Sequence, residues 1–112
     1  MTEITEREVG RVPVLHVRGR LVYYLSDSLD EKLRALLAAG RVKLLLHCQA
    51  VTAIDSHAMG ILARCAGEAA KQGGGLKLLK PSTRVQQAMS LAGLVKVIEV
   101  FQDETLGVES FA

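Results

Sequence analysis

At 112 residues, 49% of them hydrophobic and 23% charged, the chain is one domain's worth of material, residues 1–112, with apolar side chain for one core. A net charge of +2, with Lys and Arg scattered rather than interleaved with aromatics, argues against nucleic-acid binding. No stretch approaches the roughly 18 apolar residues of a membrane span, and the acidic start lacks an apolar leader core, so the chain reads as cytoplasmic without direct membrane insertion.

The first 25 residues read as strands. Glu3 to Val9 suits an edge strand, Gly10-Arg11 a turn, and Val12 to Arg18 alternates as a second strand, making a hairpin. Pro13 requires a free edge where that strand begins. Ser28-Leu29-Asp30-Glu31 fits a capping box, with Ser26 an equal candidate for the cap, and Leu29, Leu33, Leu36 and Leu37 give the following helix one apolar face up to Gly40. Val42 to Cys48 is an unbroken apolar run, as in a strand buried on both faces. A loop with Val51 and Ile54 leads to a helix from about Ser56 to Gln72, with Met59, Leu62, Ala63, Ala66 and Ala70 facing inward.

Gly73-Gly74-Gly75 stops this helix. Leu76 to Lys80 reads as a strand ended by Pro81. Ser82 caps a helix with Val85, Met89 and Ala92 inside and Gly93 at its end. Val95 to Phe101 reads as a last strand, and Asp103 to Glu109 as a closing helix. This order implies crossover connections and a central, mostly parallel sheet of four or five strands covered by three or four helices, an α/β architecture. Cys48 and Cys65 lie in apolar runs without C-x-x-C spacing and read as buried free thiols.

Polar groups interrupt this plan in one place, Ala53-Ile54-Asp55-Ser56-His57-Ala58-Met59-Gly60. There a loop enters a helix whose free amides and dipole favour negative charge. By residue type Asp55 and Ser56 suit first of all a capping pair; Ser56 also suits a phosphoacceptor, because a phosphate at a helix start is tolerated by the domain and not by a partner packed on it. Tyr23 and Tyr24 are adjacent aromatics that cannot both enter one core, so at least one is expected on a binding surface.

Several pieces together resemble the STAS domain, and within it the bacterial anti-sigma factor antagonists. Gly19-Arg20-Leu21 is similar to that family's G-E-L turn. Asp55-Ser56 with Gly60 is similar to its D-S-S-G-L-G segment, Gly73-Gly74 through Lys80-Pro81-Ser82 to its G-G-x-L-x-L-x-x-P-S stretch, and Ser90 to Leu94 to its x-G-L ending. The resemblance implies a regulatory binding module, phosphorylated at Ser56 by a partner anti-sigma factor with serine-kinase activity and restored by a phosphatase. Asp55, His57, Ala58, Met59, Gly60, Val22, Tyr23 and Tyr24 would form its partner-binding surface.

Four positions, in three departures, differ from the family pattern. His57 and Ala58 replace a small hydroxyl residue and Gly, Val22 replaces an acidic residue, and His47 stands where Asp or Asn is common; all are expected near the switch end of the sheet. His57, Ala58 and Val22 motivate an alternative, a non-switching STAS subunit of a larger assembly such as a stress-signalling scaffold or a lipid-transporter accessory. A homodimer remains open.

Catalysis is not expected. Ser56 and His57 are neighbours on a helix and do not face each other, no G-x-S-x-G elbow is present, and His16, His47 and His57 lack metal-ligand spacing. The glycine triplet follows a helix where a phosphate cradle would precede one, so no nucleotide or other cofactor is expected.

Overall fold

The computed structural model describes residues 2–112. Five strands lie in sequence order, β1 (Thr2–Val9), β2 (Val12–Leu21), β3 (Lys43–Ile54), β4 (Gly75–Leu79) and β5 (Val100–Phe101). The β1–β2 pair is antiparallel and every other pair parallel, as the crossover order requires. The helices are α1 (Asp27–Ala38), α2 (Ser56–Lys71), α3 (Thr83–Leu91) and α4 (Glu104–Glu109), with 3-10 turns at Tyr23–Ser26 and Leu94–Lys96.

The hairpin forms as expected, with Gly10 and Arg11 both at positive φ, the tight-turn geometry whose twist matches that of the strands. Pro13 faces Glu8 of β1, and pairing with β3 begins only at Val14, so the missing amide costs no ladder bond on that side.

One sheet face is covered by α1, α2 and α3. Leu15, Val17, Leu44, Leu46, Cys48, Leu76 and Leu78 pack there against Leu29 and Leu33 of α1, Leu62 of α2, and Val85 and Met89 of α3. Each fully buried Leu contributes about 2 kcal/mol of transfer free energy, which sets the scale of this core. The opposite face carries a smaller cluster, Val12, Val14, Leu45, Leu79 and Phe111, partly covered by α4. Both cysteines are free and buried; burial pushes the Cys48 thiol up to about 12 and raises that of Cys65.

Four local expectations need correction. Ser28 lies inside α1, which begins at Asp27 after Ser26; the Ser26 hydroxyl caps no amide and donates instead to the Tyr23 carbonyl at 2.6 Å. The stretch with Val51 and Ile54 is strand, not loop, because β2 runs on to Leu21 and keeps pairing with β3 across two irregularities. The inner face of α2 is Ala58, Ile61, Leu62, Cys65 and Ala69, while Ala70 is exposed, as is Ala92 after α3. Finally, Val95 to Glu99 is not strand. The 3-10 turn takes up the residues after Gly93, leaving Val95 and Val97 exposed and only Ile98 buried.

Candidate functional site

Parallel sheets present their loops at the carboxyl ends of the strands. Here the ends of β2 and β3 are tied together, since the Asp55 amide donates to the Leu21 carbonyl at 3.1 Å. From that point β2 enters the 3-10 turn at Tyr23, and β3 enters α2.

Asp55 holds both exits with one side chain. Its Oδ1 accepts from the Ala58 amide at 3.0 Å, capping α2, and its Oδ2 accepts from the Tyr23 amide at 2.7 Å. Tyr23 has φ +48, an uncommon conformation for a residue with a Cβ, so the Asp55 carboxylate stabilises a strained turn. Partial burial raises the carboxyl's pKa, and the Ala58 and Tyr23 amides together outweigh it, so the group sits below its ordinary value.

Ser56 is the first residue of α2 and is exposed. Asp55 takes the third helical amide, and those of Ser56 and His57 lack intrahelical acceptors, as at any helix start. A negative group at Ser56 would meet these amides and the positive end of the dipole, a favourable setting worth about 0.3–1 kcal/mol. His57 is also exposed, and its Nε2 lies 3.6 Å from Asp27 Oδ1 at the start of α1. The sequence alone does not single out Asp27, since an acidic residue in a helix's first turn is so ordinary that its nearness to His57 shows only in the fold.

The expected surface residues divide clearly. Tyr23 and Tyr24 are both exposed, at 74% and 77%, beside Val22, and Gly60 faces solvent one turn beyond Ser56. Met59 is half-buried. Ala58 is fully buried and cannot contact a partner; its small side chain lets the first turn of α2 sit on the core. Asp55 is engaged by two amides and supports the surface more than it forms it. His47 does not lie at this end. It sits midway along β3, because β3 continues to Ile54, and its ring stacks on His16 over the face away from α2.

Among the described residues no group of three or more His, Cys, Asp or Glu side chains could hold a metal ion, and no helix is long and apolar enough to cross a membrane.

The sequence model of the STAS domain matches residues 3–106. No curated protein sequence matches the chain. Among solved structures, a putative anti-sigma factor antagonist from Thermotoga maritima is similar at 20% identity and TM-score 0.89, over 96% of this chain and 93% of that one. An anti-sigma factor antagonist from Mycobacterium paratuberculosis shares 18% identity at TM-score 0.88, over 99% and 94%. The Bacillus cell fate determinant SpoIIAA in its phosphorylated form shares 17% at TM-score 0.76, over 98% and 100%. At these identities the likeness is one of fold.

Proposed function

The chain belongs to the STAS domain family, and from that membership we propose that it is a regulatory binding module of the anti-sigma factor antagonist kind, switched by phosphorylation of Ser56. The observation that carries the reading is exposed Ser56 at the first position of α2, beside a carboxylate that leaves two helix amides free.

The switch works by an asymmetry. Phosphate adds close to two negative charges and three acceptor oxygens. The helix start accommodates them, so the domain stays folded. A partner seated across Tyr23, Tyr24, His57, Met59 and Gly60 meets the same charge in a closing interface, where desolvating an unpaired anion is costly. In the unmodified state the module binds an anti-sigma factor with serine-kinase activity and makes it release its sigma factor. In the transfer step the Ser56 oxygen attacks the γ-phosphorus of ATP, the bond to ADP breaks, and the hydroxyl proton passes to a base on the kinase. A phosphatase reverses the modification by hydrolysis. The module itself supplies a hydroxyl and a docking surface, and its place of action is the cytoplasm.

Incubation with ATP, Mg²⁺ and a serine kinase of the anti-sigma class from the same genome is expected to place a single phosphate on the peptide carrying Ser56, found by mass spectrometry. Ser56→Ala is expected to remain unlabelled. Phosphate elsewhere, or none, defeats the reading.

His57 favours a second reading. Its imidazole stands next to Ser56 and near Asp27, where it adds bulk that a kinase must clear. A module that is never modified would serve as a subunit of a larger assembly, either a stress-signalling scaffold or a lipid-transporter accessory. Recovery from cell extract in a large particle by size-exclusion chromatography, with Ser56 unmodified, supports that alternative.

A further inference from the structure

The sheet face opposite α1, α2 and α3 is only partly covered. Beyond the patch under α4, His16 of β2 and His47 of β3 stand side by side in register. Their rings stack with centroids 4.4 Å apart and planes 13° from parallel. Arg7 of β1 donates from Nε to His16 Nε2 at 3.0 Å. The other two guanidinium nitrogens hold the two Glu104 carboxylate oxygens, Nη1 at 3.1 Å from Oε2, with Nη2 paired to Oε1. Glu104 is the first residue of α4. A continuous chain of contacts thus runs from the imidazole stack through Arg7 to the start of the C-terminal helix.

Proton occupancy decides whether that chain can exist. Arg7 has only donors, so His16 Nε2 must offer its lone pair, and the ring must be neutral with its proton on Nδ1. We propose that His16 and His47 form an acid-operated latch on α4: the neutral pair aims Arg7 at Glu104, and protonation withdraws Arg7's acceptor and frees the helix start. A protonated His16 would turn an N–H toward the Arg7 N–H and place a cation beside another. The charged groups facing the pair are Arg7 from β1, Arg18 on β2, Lys80 after β4 and Glu104 on α4, so three cations oppose one carboxylate. Burial first, then for His47 the neighbouring His16, and then these cations hold both imidazoles below the ordinary histidine value of 6.5.

The sign follows from this depression. The docked state binds protons less readily than the released one, so the latch is fully stable above about pH 6.5 and loses stability as pH falls from there to the lower native values. Glu104, held below its ordinary value by the hydrogen bond from Arg7, titrates in a separate and more acidic step. With six residues, α4 is too short to persist alone and depends on its tethers. The remaining tethers are the Asp103 cap on the Leu106 amide at 2.9 Å, the Lys77 bonds to Ser110, and Phe111 in the small core. Release of its first turn loosens the cover over Leu45 and Phe101, which lie against Gly107.

The test is amide hydrogen exchange by NMR on the full chain between about pH 7.5 and 5, normalised for intrinsic exchange, with the imidazole signals followed in parallel. Protection across Glu104 to Glu109 is expected to fall by up to about tenfold per pH unit below about pH 6.5, one proton per opening, while α2 and β3 keep theirs. His16→Gln offers Arg7 an acceptor oxygen that does not titrate, and is expected to flatten the profile with α4 docked throughout. His47→Gln leaves the His16–Arg7 contact in place and is expected to keep the pH-dependent loss of α4 protection that His16→Gln abolishes. Unchanged α4 protection while His16 titrates in the native chain, or an His16→Gln profile equal to the native one, overturns the latch.

Discussion

Replacement of Asp55 by alanine is expected to lower the stability of the domain by about 2 kcal/mol, roughly 8 °C in Tm, and to weaken partner binding beyond that loss. Two amides lose their acceptor at once, that of Ala58 in the first turn of α2 and that of Tyr23 in a strained turn. A helix cap alone is worth about 1 kcal/mol, and a hydrogen bond to a charged acceptor somewhat more than a neutral one. Asp55→Asn is expected to fall between, because its single carbonyl oxygen replaces only one of two acceptors and its amide nitrogen turns a donor toward the other N–H. The pH dependence has a fixed direction. The native carboxyl sits below its ordinary value of 3.8, so its contribution is present above that value and is lost as pH falls through the lower native one. Acid unfolding curves of the native chain and Asp55→Asn are expected to converge there, and curves that stay parallel would remove Asp55 from this role.

Gly74→Ala is expected to be the most damaging single-methyl change in the molecule, costing about 3 kcal/mol or more and over about 10 °C. A Cβ at Gly74 would lie 2.0 Å from the Val42 carbonyl oxygen and 2.5 Å from its carbon, both backbone atoms. That oxygen accepts from the Gly75 amide at 2.8 Å, where the β3–β4 ladder begins, so moving it breaks the start of strand pairing. Gly73 is the contrast within the same triplet. Its added Cβ would meet nothing within 4 Å, and only its φ of +87 opposes the change, at about 1–2 kcal/mol. Thermal melts of the two variants are expected to separate clearly; equal losses would contradict the close approach.

The fold was legible wherever local chemistry and tertiary packing agree. Leu29, Leu33, Leu36 and Leu37 all point inward from α1, and Asp55, Ser82 and Asp103 cap the helices after them. Legibility failed where a distant partner decides. Val51, Thr52 and Ile54 carry strand propensity, but it is the extension of β2 that makes Gln49 to Ile54 a strand. Val95 and Val97 carry strand propensity, yet the tight turn after Gly93 leaves both outside. The same division holds at the site. Ser56 at a helix start could be read from the order of residues, and so could the exposure of at least one tyrosine, where the fold exposes both. The second bond of Asp55, to Tyr23, spans 32 positions and appears only when β2 and β3 end together. The sequence places His47 at the same end, but β3 runs on to Ile54 and leaves it mid-strand, and strand alternation turns it to the face away from α2.

The most direct test sets the chain with phosphoserine genetically encoded at position 56 beside the unmodified chain, and measures by calorimetry how tightly each binds an anti-sigma serine kinase from the same genome. The expected result is affinity at least about a hundredfold weaker for the phosphorylated form, a cost of about 3 kcal/mol or more, with Tm within a few degrees of the unmodified chain. Equal affinities for the two forms, or a phosphorylated chain that no longer folds, would contradict a phosphate-operated surface at the start of α2.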